Sequence, residues 1–235
     1  MKTMKFLVPI VAIAMFVSCG HSQTTSERAS ETFTVLTYEE RANLSPNDVI
    51  ELLKQGNREF VRGYTTVRNS PEVIRASADG QFPMAVILSC LDSRVPVEDV
   101  FHRGIGDLFV GRVAGNIVNV DLLGSMEFAC AAAGAKVIMV LGHGACGAVI
   151  HAMENTQLGN ITEMLSKIRP AVGNNTNSNN LEQLKAVTVE NVKLQVRNIR
   201  AGSEILRSME EAGAIRIIGG YYDMHTGKVT FFENI

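Results

Sequence analysis

The stretch Met84-Ala85-Val86-Ile87-Leu88-Ser89, running straight into Cys90-Leu91-Asp92-Ser93-Arg94, decides the fold. A short unbroken apolar run is what a strand covered on both faces requires, because neither face can carry a polar side chain. Residues 108–113 (LFVGRV) and 137–141 (VIMVL) repeat the pattern. Between them, residues 122–133 are Ala-rich and predict a helix. Residues 47–64 place Val49, Ile50, Leu52, Leu53, Phe60 and Val61 at helical spacing. Residues 181–207 predict one long helix bent near Gly202. Residues 215–218 and 229–232 predict two closing strands around a Thr226-Gly227 turn. Strands alternating with helices predict an α/β domain. Its sheet should be mostly parallel, about five strands flanked by helices, with an antiparallel edge strand and an N-terminal helical arm.

The domain is expected over residues 46–235. Residues 1–19 read as a lipoprotein-type bacterial signal. Lys2 and Lys5 precede the apolar run 6–17, and Phe16-Val17-Ser18-Cys19 resembles a lipobox, with Phe16 where Leu is usual. That predicts export, lipidation of Cys19 and a periplasmic, membrane-anchored lipoprotein whose only membrane link is the anchor. Residues 20–45, rich in Ser, Thr, Glu and Gln, predict a flexible linker. The net charge of −2 is spread along the chain, with no basic block of the kind nucleic-acid binding requires.

In parallel sheets the chemistry gathers where strands end. Cys90 follows the first strand and His143 the third, so one rim should hold both. Gly142-His143-Gly144-Ala145-Cys146-Gly147 sets an imidazole and a second thiol on one tight loop, with glycines that let backbone approach an ion. Two thiolates and one imidazole suit Zn²⁺, and three protein ligands leave a fourth position for water. Setting aside Cys19, three of the four cysteines remain. An odd number argues for a use other than disulfides. If residues 90–94 are extended, Asp92 and Arg94 could converge with Cys90; alone they would read as a surface ion pair. Cys130, in the Ala-rich helix, reads as a small buried hydrophobe. His102, His151 and His225 could shuttle protons, but residues in such positions are more often structural.

Taken together the chain resembles the beta-class carbonic anhydrases. The resemblance rests on C-x-D-S-R at 90–94, G-D-L-F-V-x-R-V-A-G-N at 106–116 and H-x-x-C-G at 143–147. Leu53 to Phe60 (LKQGNREF) and Tyr221-Tyr222-Asp223 add to it. It implies one Zn²⁺ per subunit on Cys90, His143 and Cys146, with Asp92 and Arg94 as a catalytic dyad. It also implies that zinc hydroxide attacks carbon dioxide to give bicarbonate and a proton. Gln81, Phe109, Ala114 and Phe128 fall where the family contacts substrate, Gln81 often from across a dimer interface. Phe128 replaces the Tyr of many members and drops its hydroxyl. A homodimer or homotetramer is implied, with active sites at the dimer interface. Two other readings stay open: a carbonyl sulfide or carbon disulfide hydrolase on the same zinc, and a non-catalytic zinc-binding lipoprotein, which would need a fourth protein ligand.

Overall fold

The computed structural model describes residues 35–64 and 71–235. The expected signal segment, Cys19 and most of the expected linker lie outside the described residues. Five strands form one sheet: β1 (Ala85–Ser89), β2 (Leu108–Arg112), β3 (Val137–His143), β4 (Arg216–Tyr222) and β5 (Val229–Phe232). Their order is β2-β1-β3-β4-β5. The first four run parallel and β5 pairs antiparallel with β4, as the sequence pattern predicts.

Side-chain alternation divides β1 and β3 between two cores. Ala85, Ile87, Val137, Met139 and Leu141 face α2 (Pro46–Val61) and the short α4 (Val97–Val100). Val86, Leu88, Ile138 and Val140 face the other way, toward Met126 of α5 (Val120–Glu127), Val192, Val196 and Ile199 of α8 (Leu181–Gly202), and Leu206 of α9 (Glu204–Glu211). Both faces of β1 and β3 are fully buried, which is why these strands read as unbroken apolar runs.

Parallel register sets the functional rim. Ser89 pairs with Leu141 and with Arg112, so Cys90 leaves β1 level with the end of β3. His143 is the last residue of β3 rather than the first beyond it, and pairs with Tyr222.

Two elements differ from the sequence expectations. Residues 37–45, assigned to the linker by their polar composition, are not a tether. Thr37 and Glu40 form a capping box that starts α1 (Tyr38–Asn43), and Ser45 with Asp48 does the same for α2. Arg41 is buried and donates to the Gly134 carbonyl at 2.8 Å, while Leu36 and Leu44 pack on the core. The polar residues here serve as helix caps and a docking cation. The long C-terminal helix breaks rather than bends. Ser203 is extended, its amide caps α8 through the Ile199 carbonyl, and its Oγ accepts from the Leu206 amide to start α9. The remaining helices, α3 (Pro71–Ala76), α6 (Gly147–Met153) and α7 (Gly159–Ser166), carry no periodicity that the sequence made evident.

Candidate metal centre

Cys90, His143 and Cys146 come together although 56 residues separate the first from the last. Their Sγ and ring-nitrogen atoms all lie within 4.8 Å of one another, and all three residues are buried. A tetrahedral zinc with bonds of about 2.0–2.3 Å needs ligand atoms roughly 3.5 Å apart, so the cluster has the right size. The imidazole is already oriented. Nδ1 of His143 donates to the Gly144 carbonyl at 2.9 Å, which turns Nε2 toward the two sulfurs. That Nε2 is completely buried and meets no hydrogen-bond partner among the described residues. A buried acceptor normally has a partner; a cation between Nε2 and two sulfurs is what this one fits.

Backbone geometry forces the loop to close. Ala145, between His143 and Cys146, adopts φ +52°, a left-handed conformation that costs a non-glycine residue about 1–2 kcal/mol. A Cβ on Gly142 would meet Val192 at 2.6 Å, and one on Gly144 would meet the Tyr221 hydroxyl at 3.0 Å. Gly147, expected to serve the same wrapping, has open space around it and opens α6.

The two thiols behave as a pair. The Cys146 thiol donates to Cys90, and with help from His143 and backbone amides this holds the Cys90 thiol well below its ordinary range. The Cys90 sulfur and burial push Cys146 upward. Cys130, by contrast, is buried in the π-helical turn Phe128–Ala132, and burial lifts its thiol to about 12. It is a core residue, as expected from the sequence.

Asp92 and Arg94 do converge on the cluster, but through a turn rather than an extended segment. The Asp92 carboxylate accepts from the Arg94 amide at 2.9 Å, and Val95 N–H closes on the Asp92 carbonyl. The Arg94 fork then binds both carboxylate oxygens, and Asp92 Oδ2 lies 3.9 Å from His143 Nε2. The Arg94 side chain, its amide and nearby His143 hold the Asp92 carboxyl at about 2.

The expected substrate contacts do not gather at the cluster within one chain. Phe109 and Phe128 meet edge to face, with ring centres 6.4 Å apart. They line a groove of about 600 Å³ walled by Leu88, Gly111, Leu122 and Met126, which none of the three ligands borders. Ala114 sits in the 3-10 turn Ala114–Asn116, next to the ligand-contacting Gly115. Gln81 is exposed in the loop before β1, at the opposite end from Cys90 of a strand roughly 16 Å long. His102 lies under α2 with its Nε2 3.8 Å from Glu59; His151 is on the surface of α6 and His225 in the β4–β5 turn. Only His143 among the described histidines joins the cluster.

The structure adds groups that the sequence reading passed over. Arg112 donates to the carbonyls of Cys90 and Val95, bracing the turn that carries the dyad. Gly115 N–H donates to Cys90 Sγ at 3.4 Å. Asn191 and Gln195, on the buried face of α8, hold the Gly115 segment. Arg112 and Gly115 stand inside the 106–116 motif; the signal for the other two was a pair of amides interrupting an apolar helical stripe.

Fold and site define an α/β protein with a Cys-His-Cys cluster of the kind that could hold a metal, set at parallel strand ends. The carbonic anhydrase family profile matches residues 85–229. Carbonic anhydrase 2 of Mycobacterium tuberculosis is 31% identical over 201 residues, spanning 82% of this chain and 96% of that protein. The carbonic anhydrase of Mycolicibacterium smegmatis is 31% identical over 195 residues, 80% of this chain and 93% of its own. Among solved structures, the beta-carbonic anhydrase CafA of Aspergillus fumigatus is 28% identical, with a TM-score of 0.59 over 69% of this chain and 81% of that one. The chain belongs to the beta-carbonic anhydrase family, and it is an enzyme of that class.

Proposed function

We propose that this chain catalyses the reversible hydration of carbon dioxide to bicarbonate and a proton, at one zinc ion held by Cys90, His143 and Cys146. The observation that carries the reading is the cluster itself: the buried Nε2 of His143 is set among two thiols, 3.9 Å from a carboxylate already locked by Arg94. Zinc supplies a water acidified enough to act as a nucleophile near neutral pH. The rest falls to the protein. Asp92, ionised at any physiological pH, can only accept. Its Oδ2 lies 3.9 Å from His143 Nε2, where it would accept the hydrogen bond of a nucleophilic water and orient it. Arg94 binds both Asp92 oxygens, which fixes the carboxylate in place and would hold it off a metal bound in the cluster. The described cluster has three ligand groups, which favours an open catalytic site over a closed structural one.

The apolar wall comes from a second copy. Phe109, Phe128 and Gln81 stand apart from the ligands within one chain, while Leu91, Val120 and Phe128 are 62%, 78% and 57% exposed. An isologous dimer would cover this surface and bring these residues toward the partner's ligands. The chain acts outside the inner membrane as a lipoprotein tethered at Cys19, a reading supported by the charged start, short apolar run and lipobox-like end of residues 1–19. Labelling with radioactive palmitate tests it: label retained by Cys19→Ala overturns the anchor.

Stopped-flow carbon dioxide hydration by the zinc-loaded chain tests the activity, with Cys146→Ser as control. Rapid hydration that is lost with the zinc is expected. Hydration no faster than buffer, or undiminished after zinc is stripped, rejects the proposal.

A further inference from the structure

One face of α8 is built toward the metal centre. Asn191 and Gln195 are wholly buried there, beside Val187, Val192 and Val196. Two buried primary amides in a core helix are costly unless each hydrogen bond is made. Here the bonds form a chain directed at one sulfur. Gln195 Nε2 donates to Asn191 Oδ1 at 3.0 Å and to the Lys167 carbonyl at 3.2 Å, while its Oε1 accepts from Val118 N–H at 3.0 Å. Asn191, thus fixed, donates from Nδ2 to the Gly115 carbonyl at 2.9 Å. Gly115 N–H in turn donates to Cys90 Sγ at 3.4 Å. Gly115 needs this support, because it holds φ +70° on a tight turn, and a Cβ there would meet Ile168 at 2.4 Å. The glycine is free to aim its N–H elsewhere unless something grips its carbonyl.

We propose that Asn191, clamped by Gln195, is a positioning residue that sets the Gly115 amide on the Cys90 sulfur and thereby tunes that sulfur as a metal ligand. An N–H···S bond fixes a sulfur lone pair in direction and draws charge from the thiolate, and such outer contacts control both the placement and the donor strength of a ligand. The same helix packs Val192 against Gly142, the neighbour of His143, so one element registers ligands from two separate strands.

The inference rests on the zinc reading, and the test separates the two. Zinc affinity of the full chain is measured by competition with a chromophoric chelator. The sulfur-to-metal charge-transfer absorption is recorded after cobalt(II) replacement. Asn191→Ala is expected to weaken zinc binding about 10–100-fold and to shift the charge-transfer band. Asn57→Ala, a buried amide remote from the cluster, is expected to lose thermal stability with wild-type affinity and absorption. If Asn191→Ala loses stability in the same way but keeps wild-type affinity and band position, its role is structural only and the proposal falls. Should Asn191→Ala not fold, Gln195→Met carries the test with the same two readouts. Failure of both to fold assigns the pair to core stability and also overturns the proposal. A wild-type chain that takes up neither metal overturns the zinc reading itself, and this inference with it.

Discussion

Arg94 grips Asp92 at two points, Nε on Oδ1 at 2.9 Å and Nη2 on Oδ2 at 2.7 Å, and leaves that same Oδ2 3.9 Å from His143 Nε2. The carboxylate is therefore oriented before any ligand arrives. The bidentate fork does this, and Arg94 itself stays more than half exposed.

Replacing Asp92 by Asn should keep the zinc and cut turnover by about 100-fold or more, because the amide can turn an N–H toward the water. Arg94→Lys, which loses the planar fork, should cost about ten-fold with zinc retained. Zinc content together with stopped-flow rates checks both. Unchanged turnover in Asp92→Asn would remove the carboxylate from the mechanism.

A second copy should be required for activity. Sedimentation of the zinc-loaded chain should give a dimer or a multiple of it. Phe128→Arg, placing a charge in the exposed groove it shares with Phe109, should shift the chain to monomer and reduce hydration in parallel. A fully active monomer would refute the shared pocket.

Asn57 should be worth more to stability than its size suggests. It is buried, donates to the carbonyls of Val100 and Gly227 at 3.1 and 2.9 Å, and accepts from Val229 N–H at 2.8 Å. It thus ties α2 both to the end of α4 and to the β4–β5 hairpin. Asn57→Ala orphans these backbone groups and should cost about 2–4 kcal/mol by denaturant titration. A loss under 1 kcal/mol would mean that water replaces them at little cost.

Glu233 should make stability depend on pH on the acid side. Lys54 at 2.6 Å, and then Arg216 at 3.2 Å, hold its carboxyl below the ordinary value of 4.5. A depressed folded-state value adds stability that is complete above the unfolded value and is lost as pH falls through the folded one. Glu233→Gln should therefore cost up to about 1 kcal/mol at pH 7, with the deficit closing in acid. Urea melts of both proteins across that range decide it. A deficit independent of pH would assign the loss to packing.

Much of this was legible in the chain itself. Unbroken apolar runs identify strands buried on both faces, because burial leaves no alternation to see, and Cys90 and His143 fall at the ends of two of them. Two thiols and an imidazole are the donor types that suit zinc. Other features were not local. The α1 segment looked like a tether because capping residues are polar, and its docking depends on Arg41 reaching Gly134, 93 residues away. The break at Ser203 turned on one backbone conformation.

Sequence alone, then, determined the sheet, its order of chemistry along the chain and the three side chains of the candidate metal cluster, since these follow from short-range periodicity and donor chemistry. Tertiary structure alone decided which groups surround them. That Asn191 braces Gly115, 76 residues away, and that Phe109 and Phe128 face a groove away from the ligands, follow from how helices pack on the sheet. Packing of that kind is set by the whole core at once, and no local pattern encodes it.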